Sequence, residues 1–440
     1  MKALTFRGGL HPNDRKESTM NCAIEELPAS QTMIYPMVQH IGAPCEPLVK
    51  KGDRVLVCQK IGDSKAFVSV PVHSTVSGTV KAIEKMPHPN GKNILSVVVE
   101  NDFMYEMHPD VYERNDTEKL TKEEKLNIVR ESGMVGLGGA AFPTHIKLNP
   151  PQDKKIDCLI VNGAECEPYL TSDYRVMLET PHEIFKGIKI MMDITGVDKC
   201  FIGIENNKPE AIKIMSETAK DFPGTEIKVL KTKYPQGSEK QLIKAITGRE
   251  VPSGGLPADV GVIVNNIDTC KAVYYAVTYR QCVLSRIVTV AGDAVKKPSN
   301  FRVRIGTPFI DILNAAECDL KNTNKVIMGG PMMGIAQSDL SVPVVKNTSA
   351  LLAFTKDFTN QPQTVNCVKC GDCVSHCPMG LAPALLNAYA KTENFEMLKK
   401  LSITDCIECG VCSYTCQCRN NITQNIKTAK AKIRIRSQKN

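Results

Sequence analysis

Cysteine is the residue type whose number and spacing in this chain could do chemistry: there are 18 cysteines among 440 residues. Nine of them lie within residues 367–418, where a Cys-x-x-Cys-x-x-Cys-x-x-x-Cys unit beginning at Cys367 recurs 39 residues later from Cys406. The first 20 residues lack the apolar stretch that a secretory signal needs. We therefore expect a reducing compartment, in which dense cysteines bind metal rather than form disulfides.

The spacing predicts two 4Fe–4S clusters whose ligands cross between the first cysteine unit (residues 367–377) and the second (residues 406–416). Three thiolates spaced three positions apart can wrap one face of a cubic cluster, whereas the fourth lies too far along to reach it and binds the other cluster. The predicted ligand sets are Cys367, Cys370, Cys373 and Cys416 for one cluster, and Cys406, Cys409, Cys412 and Cys377 for the other. Gly371 and Gly410 stand where each loop must turn sharply.

A pair of Cys-x-x-Cys zinc sites is the alternative reading of this segment. Zinc needs four ligands at each site and does not explain a doubled three-plus-one pattern. Cys418 lies beyond the second unit, after Gln417, which takes the position that Pro378 holds after the first unit; we expect Cys418 to be a bystander. Since each 4Fe–4S cluster carries one electron, this segment is expected to conduct electrons.

Upstream of the cysteines, apolar strand-like runs alternate with helical patterns. Strands are predicted at 156–161, 201–205, 227–231 and 260–264, and helices at 117–131 and about 209–220. This alternation indicates a mostly parallel sheet, with ligands at the carboxyl ends of its strands. A glycine-rich stretch, residues 132–143, follows the first helix, where missing side chains let the backbone approach a flat or phosphorylated ligand. It is not the Rossmann fingerprint, because it follows a helix and not a strand.

This part of the chain resembles the flavin- and NADH-binding domain of the flavoprotein subunit of respiratory complex I. That family carries a glycine loop ending in Gly-Phe-Pro-Thr, then Asn-x-x-Glu-x-Glu-Pro, Tyr-x-x-Gly-x-Glu and Asn-Asn-x-Glu-Thr. Matching segments occur here in the same order at 138–144, 162–168, 234–239 and 265–269. The resemblance implies that FMN is surrounded by Gly136, Gly138, Gly139, Lys147, Asn162, Tyr234, Gly237, Asn265 and Asn266.

The same resemblance implies the nucleotide contacts. Phe142 would stack on the adenine of NADH, Glu167 and Glu239 would face the nicotinamide ribose, and Glu165 belongs to the same cofactor-binding set. The chain departs from the family pattern at three positions: Leu137 stands for an Arg, Ala164 for an Asp and Ser238 for a Glu. Flavin binding is still expected, and the alternative is a nucleotide fold that has lost its ligand.

Two further regions resemble known modules. Residues 42–83 resemble the flattened β-sandwich of biotinyl and lipoyl domains, and residues 285–355 resemble a soluble-ligand-binding β-grasp (SLBB) module. In lipoyl domains a Lys between Asp and Ala carries the cofactor, which residues 63–66 (Asp-Ser-Lys-Ala) nearly reproduce. Because the Asp is one residue too far from Lys65, we expect an unmodified surface lysine, with an acyl-carrier role as the weaker alternative.

The order of these regions is similar to that of the C subunits of Rnf complexes over essentially the full length. Residues 6–12 (FRGGLHP) and 39–44 (QHIGAP) also look like that family. We therefore expect a multidomain α/β plus β fold. Its parts would be an N-terminal barrel-sandwich hybrid (1–110), a Rossmann-like flavin/NADH domain (111–280), an SLBB β-grasp (281–358), a twin-4Fe–4S ferredoxin-like domain (359–425) and a basic C-terminal tail (426–440).

Membership of that family implies a complex that links reduced ferredoxin to NAD⁺ and pumps Na⁺ or H⁺. This polypeptide would pass electrons through its two clusters and a non-covalent FMN to NAD(H). The implied partners are the iron–sulfur B subunit, the A, D, E and G membrane subunits, NADH and, indirectly, ferredoxin. Electron counting supports the flavin, because hydride transfer moves two electrons and each cluster handles one. No general base is required.

Two rivals remain open at this point. One is a protein like the cobalamin reductase of propanediol-utilising microcompartments, whose chain is expected to begin at the flavin domain. The other is a non-enzymatic electron-transfer module on a degenerate nucleotide fold. The N-terminal sandwich favours Rnf over the first, and the missing Arg and Asp are the best support for the second.

Charge and hydropathy restrict the partners. The net charge is +8, but residues 419–440 hold seven basic side chains and no acid, leaving about +1 over the other 418 residues. The body is therefore neutral, and no nucleic-acid binding is expected. No uncharged apolar run approaches the roughly 20 residues that a membrane helix needs. We expect a peripheral protein on the cytoplasmic face of the cell membrane, with the tail as an extended arm that assists docking to an anionic surface.

Overall fold

The computed structural model describes residues 3–359 and 363–437. Its N-terminal region, residues 3–110, contains two small antiparallel sheets with a shared core. The strands of this region are β1 (Ile24–Glu26), β2 (Thr32–Pro36), β3 (Glu46–Pro47), β4 (Arg54–Val55), β5 (Lys60–Asp63), β6 (Val72–His73), β7 (Gly78–Pro87) and β8 (Asn93–Asn101). The sheets have the orders β2-β8-β7-β4 and β3-β5-β6. Met33 and Tyr35 stand two residues apart on β2 and are both buried in this core, as the period of a strand requires. The predicted β-sandwich is confirmed.

The central region, residues 111–280, is a parallel sheet with helices on both faces. Its elements are α1 (Lys122–Glu131), α2 (Thr144–Lys147), β9 (Cys158–Gly163), α3 (Ser172–Glu179), α4 (Pro181–Thr195), β10 (Cys200–Glu205), α5 (Pro209–Thr218), β11 (Thr225–Leu230), α6 (Glu239–Thr247), β12 (Val262–Asn266) and α7 (Ile267–Tyr279). The strand order is β11-β10-β9-β12. On β9, Leu159 packs into one core layer and Ile160 into the opposite one. Because the order reverses between β9 and β12, a ligand crevice is expected at the carboxyl ends of these two strands.

Several predicted boundaries shift in this region. The helix predicted over 117–131 is a 3₁₀ turn followed by α1, which begins at Lys122 because Thr121 and Glu124 form a reciprocal capping box. β12 continues through Asn265 and Asn266, so these amides belong to the strand end and not to a loop after it. Among the described residues, the 3₁₀ turns are Thr117–Lys119, Ala219–Asp221, Pro257–Val260 and Ile403–Asp405.

The third region, residues 281–359, is a mixed sheet with a helix packed on it. Its elements are β13 (Ser285–Ala291), β14 (Ser299–Arg304), α8 (Phe309–Ala315), β15 (Thr323–Met328), β16 (Ile335–Gln337), β17 (Ala350–Thr355) and α9 (Lys356–Thr359). The sheet order is β1-β14-β13-β17-β15-β16, with β1 parallel to β14. Phe309, Ile312 and Leu313 of α8 are fully buried. Since β1 comes from the N-terminal region, the first and third regions share one sheet.

The C-terminal region, residues 363–437, is helical. Its elements are α10 (Asp372–Ser375), α11 (Pro383–Lys391), α12 (Phe395–Lys400), α13 (Val411–Tyr414) and α14 (Ile422–Ser437). The one-turn helices α10 and α13 each start directly after a glycine with left-handed backbone, Gly371 at φ +86° and Gly410 at φ +82°. The two cysteine units therefore repeat the same local backbone as well as the same spacing.

The expected extended basic arm at 426–440 is wrong for the residues that the structure describes, which end at Ser437. They belong to α14, whose Ile422, Ile426 and Ala429 are buried in the core of the C-terminal region. Apolar residues at i, i+4 and i+7 drive helix formation here, because they place one apolar stripe against that core. The basic side chains are also engaged: Lys430 forms an ion pair with Glu408 at 2.6 Å. Residues 438–440 of the expected tail lie outside the described residues.

Candidate functional site

The two cysteine units interlock in the C-terminal region. One cavity is lined by three thiols of the second unit and the last thiol of the first: Cys406, Cys409, Cys412 and Cys377. Burial raises the pKa of the Cys373 thiol of the first unit. Three neighbouring thiols raise it further: Cys416, Cys367 and Cys370. The structure thus brings together both four-cysteine sets that the spacing predicts.

The chemistry of these thiols fits an iron–sulfur cluster. Burial raises the pKa of Cys409 to about 12 and that of Cys412 to about 11, and the neighbouring thiols contribute. Thiols of this kind stay protonated at neutral pH unless a bound metal stabilises the thiolate. Among the described residues, no three or more metal-binding side chains converge on a point suited to a single ion. A 4Fe–4S cluster instead spreads four thiolates over its irons.

A second group of predicted residues meets at the carboxyl ends of β9 and β12. Asn162 and Asn266 are paired across these neighbouring strands. The Asn162 side chain donates a hydrogen bond to the Gly237 carbonyl at 2.8 Å and accepts one from the Ala164 N–H at 3.1 Å. The Asn266 side-chain oxygen caps the N-terminus of α7. The crevice expected from the strand order therefore holds residues from three of the four sequence motifs.

The fourth motif, the glycine loop, lies against the same strand end. A Cβ atom at Gly138 would stand 2.4 Å from Nδ2 of Asn266, so a side chain cannot fit between the loop and β12. A Cβ at Gly139 would meet nothing within 4 Å and would project into open space. Leu137, which replaces an Arg of the related family, is buried and donates its N–H to Thr269 at 2.9 Å. The loop presents bare backbone at the crevice.

Two buried amide side chains at the crevice have no hydrogen-bond partner among the described residues. They are Asn265, through Nδ2, and Gln236, through both amide atoms. Asn265 is paired with Val161 beside Asn162, and Gln236 precedes Gly237. Because buried polar groups are nearly always paired in folded proteins, such orphaned amides indicate a polar ligand. The donors and acceptors present here fit a flavin nucleotide.

The predicted carboxylates have different partners. Glu239 at the start of α6 forms an ion pair with Lys147 at 2.8 Å, which brings two predicted cofactor residues together. Glu167 accepts hydrogen bonds from the N–H groups of Met332 and Met333 at 3.0 and 2.9 Å, and burial raises its pKa to about 7. Glu165 accepts from the Asp173 and Tyr174 N–H groups at the start of α3.

These contacts bear differently on the expected roles. Glu165 and Glu167 hold elements of the protein in place, whereas the Lys147–Glu239 pair is partly exposed and can reach a ligand. Phe142 is 37% exposed at the end of the glycine loop, and its stacking on adenine stays a prediction.

Lys65 of the N-terminal region is exposed, while the neighbouring Asp63 pairs with Lys60 at 3.0 Å.

The crevice at the carboxyl ends of β9 and β12 is in direct contact with the second cysteine unit. Tyr234, expected around FMN, is buried and donates its hydroxyl to the Cys409 carbonyl at 2.7 Å. A Cβ at Gly410 would lie 2.8 Å from the Met332 carbonyl, so the unit packs tightly on the third region as well. Cys367 and Cys370 of the first unit are exposed.

The N-terminal segment, residues 4–19, joins these parts, and sequence reasoning missed it. Leu10 exchanges two main-chain hydrogen bonds with Tyr234, and the Gly9 N–H donates to the His376 carbonyl at 2.8 Å. Lys16 of the same segment is buried against the loop that follows β9. The paired glycines in residues 6–12 were the available signal, since Gly8 and Gly9 both have positive φ and a Cβ at Gly8 would lie 2.8 Å from the Cys377 carbonyl.

Comparisons with known proteins agree with this organisation. The RnfC barrel sandwich hybrid domain family matches residues 4–104, the Nuo51 FMN-binding domain family residues 129–275, and the SLBB domain family residues 287–336. The chain is 46% identical to the C subunit of the proton-translocating ferredoxin:NAD(+) oxidoreductase complex of Clostridium ljungdahlii, over 90% of this chain and 86% of that one. It is 43% identical to the Na(+)-translocating counterpart of Acetobacterium woodii, over 98% and 97%.

A solved structure shares the fold. A chain of an NAD⁺-reducing [NiFe]-hydrogenase in its H2-reduced state aligns with a TM-score of 0.50 at 19% identity, covering 71% of this chain and 62% of its own length. At that identity the likeness concerns the fold alone.

Proposed function

The chain belongs to the family of C subunits of Rnf-type, ion-translocating ferredoxin:NAD⁺ oxidoreductase complexes, and from this premise we propose that it is the part of such a complex at which electrons are exchanged with NAD(H). The observation that carries the proposal is the Tyr234–Cys409 hydrogen bond, because it joins the crevice at the ends of β9 and β12 directly to one of the cysteine sets. An electron carrier held by the cysteines would thus stand next to a nucleotide at the strand ends.

The crevice residues would hold FMN non-covalently and position NADH over it. A bound flavin would supply the step between hydride transfer and single-electron transfer. Gly136, Gly138 and Gly139 would leave room for the flavin nucleotide, and the side chains of Asn162, Asn265 and Asn266 would supply polar contacts. Lys147 would contact FMN, its ion-pair partner Glu239 would face the nicotinamide ribose, and Phe142 would stack on the adenine of NADH.

The two cysteine sets differ in their distance from that crevice. The set of Cys406, Cys409, Cys412 and Cys377 is the inner one, since it touches Tyr234 and the Met332 loop. The set of Cys367, Cys370, Cys373 and Cys416 is the outer one, since Cys367 and Cys370 face solvent. We propose that the outer set exchanges electrons with a partner protein and that the inner set passes them to or from the flavin.

The partners follow from membership of a multi-subunit complex. We propose the iron–sulfur B subunit as the electron partner, with ferredoxin acting through it, and the A, D, E and G membrane subunits as the assembly to which this protein binds at the cytoplasmic face. Among residues 3–359 and 363–437, no helix is both long and apolar enough to cross a bilayer. The name of one relative specifies proton translocation and that of the other specifies Na⁺ translocation, so both ions occur among the relatives.

The test is purification without oxygen, followed by chemical assay of flavin and iron and by titration with NADH. We expect one FMN, released on denaturation, and four irons for each of two clusters, with NADH reducing the flavin first and the clusters after it. Iron without flavin would leave the electron-transfer module on a degenerate nucleotide fold as the better description. Flavin without iron would overturn the assignment of the cysteine sets.

A further inference from the structure

Lys16 is a buried lysine whose ammonium group is surrounded by main-chain oxygens. Lys16 is 5% exposed. Its Nζ donates hydrogen bonds to the Glu165 and Glu167 carbonyls at 3.0 Å each and to the Leu170 carbonyl. An ammonium has three N–H donors, so each of them is used on this one loop. Burial lowers the pKa of Lys16, and the nearby Glu165 carboxylate opposes that effect.

A second buried lysine donates a hydrogen bond to the same loop. Lys208 is 2% exposed and donates to the Ala164 carbonyl at 2.7 Å, while Glu205 balances its charge at 3.3 Å. The carbonyls of residues 164, 165, 167 and 170 are therefore held by two ammonium groups. Burying a lysine costs free energy, because its ammonium group loses contact with water. Two buried lysines on one loop therefore indicate that the position of this loop is important.

The orientation of these carbonyls fixes the direction of the N–H groups between them. In a trans peptide the carbonyl and the N–H of the next residue point in opposite directions. The Ala164 and Glu165 carbonyls face the lysines, so the N–H groups of Glu165 and Cys166 face away from them. Within the described residues, neither of these two N–H groups donates a hydrogen bond. Glu165 has a φ of +46°, in the left-handed region that an anion-binding nest requires of one of its residues.

The free N–H groups lie beside the crevice. The Gly237 N–H donates to Cys166 Sγ at 3.3 Å, which places this loop directly against the loop of Tyr234 and Gly237. Asn162, which precedes the loop, bonds to the Gly237 carbonyl.

We propose that Lys16 is a positioning residue that, together with Lys208, turns the Glu165 and Cys166 N–H groups toward the flavin ring and so stabilises its reduced form. The inference rests on the proposed function and adds to it a role for the N-terminal segment. Reduced flavin carries a negative charge at neutral pH, whereas the oxidised ring is neutral. Aligned N–H groups backed by a buried ammonium favour the negative form, as preorganised donors do wherever charge develops.

The experiment is a spectroelectrochemical titration of FMN in the anaerobically purified holoprotein and in Lys16→Met. We expect Lys16→Met to weaken binding of reduced FMN about tenfold more than binding of oxidised FMN, which lowers the two-electron midpoint by about 30 mV. The matched control is Lys125→Met. Lys125 of α1 is also buried and pairs with Asp193 of α4 at 3.4 Å, and it has no contact with the glycine loop or with the loop after β9. We expect its flavin midpoint to equal that of the wild type.

A second variant, Lys16→Gln, keeps N–H donors and removes the charge, so it covers the case in which Lys16→Met does not hold FMN. A midpoint unchanged from the control in either flavin-loaded Lys16 variant overturns the proposal. Loss of FMN from both variants with full iron content supports it, because the defect is then confined to the loop and its flavin. Loss of iron and flavin together overturns it, since Lys16 would then support the whole fold. A wild-type protein that binds no FMN contradicts the proposed function itself and is recognised before any variant is made.

Discussion

The two cysteine units have the same spacing and the same backbone but different surroundings. In the first unit, Cys367 and Cys370 are exposed, and the nearby Val365 and Val368 are 56% and 67% exposed. In the second unit, Cys409 is 8% exposed and packs with Leu10 and Tyr234, whereas the third thiols of the two units, Cys373 and Cys412, are equally buried. Spacing thus determines which thiols can lie close to one another, whereas the packing around each unit determines whether those thiols face solvent or another region of the protein.

The two turning glycines show the same contrast at atomic scale. Gly371 and Gly410 both need left-handed backbone, but a Cβ at Gly371 would meet nothing within 4 Å. At Gly410 it would meet the Met332 carbonyl at 2.8 Å. The first glycine serves only its own turn, and the second also permits contact with another region. Four substitutions test this contrast, from the largest expected effect to the smallest.

The largest effect is expected from Cys377→Ser. Although Cys377 is part of the first unit in sequence, it lines the cavity of the second, so the inner cluster should be lost and the iron content should fall by about half. Iron assay and electron paramagnetic resonance of the reduced protein measure this. Cys418→Ser is the control and should keep all its iron. Loss of the outer cluster instead would show that each unit binds its own cluster.

Gly410→Ala should destabilise the protein more than Gly371→Ala. Each change forces a Cβ into left-handed backbone, at a cost of about 1–2 kcal/mol. Gly410→Ala adds a clash with the Met332 carbonyl, at a cost of about 1–3 kcal/mol more. Denaturant unfolding of the two anaerobic variants gives the difference. Equal losses would mean that the second unit is not packed more tightly than the first.

The pH dependence of stability should carry a contribution from Glu167, which holds the Met332 loop against the second unit. Burial raises its folded-state pKa from 4.5 to about 7, so the folded protein binds this proton more tightly than the unfolded chain. Stability from this group is therefore full below about pH 4.5 and declines as pH rises to about 7, by at most about 3 kcal/mol. In Glu167→Gln this decline should disappear from unfolding curves measured at several pH values. A variant with the wild-type slope would assign the decline to other groups.

Tyr234→Phe should have the smallest effect. It leaves the Cys409 carbonyl without its buried donor, at a cost of about 1–2 kcal/mol. Tyr414→Phe, on the exposed side of α13, is the matched control and should be neutral, since Tyr414 is 60% exposed. The unfolding temperatures of both variants provide the comparison. If they shift equally, the Tyr234 hydroxyl does not stabilise the contact between the crevice and the second unit.

Local patterns in the sequence predicted the features that depend on neighbouring residues. The three-residue spacing of the cysteines led to both ligand sets, and the polar residues after the strands marked the crevice. Asn162 and Asn266 could be placed together because parallel strands end at one edge of a sheet. The family resemblance added the glycine loop, which does lie against Asn266.

The features that sequence reasoning missed depend on contacts between distant residues. Lys16 reads as an ordinary surface lysine, because nothing near it in sequence reveals the carbonyls that surround it. Glu165 was expected at the cofactor, but its carboxylate binds the N-terminus of α3. For α14 a local signal existed: the Ile422, Ile426 and Ala429 spacing indicates a buried stripe. The alternating basic residues that follow this stripe indicated an extended arm instead.

The N-terminal segment has a consequence for how the protein is made. Gly9 bonds to His376, so the N-terminal segment waits for a partner that is translated about 370 residues later. At roughly 5–20 residues per second, that wait lasts on the order of 20–70 s. Leu10 can pair with Tyr234 earlier in synthesis, but the contacts of Gly8 and Gly9 with the first cysteine unit cannot form until residues 376 and 377 have been made. The N-terminal segment therefore joins the cysteine units only after all the residues of the crevice have been synthesised.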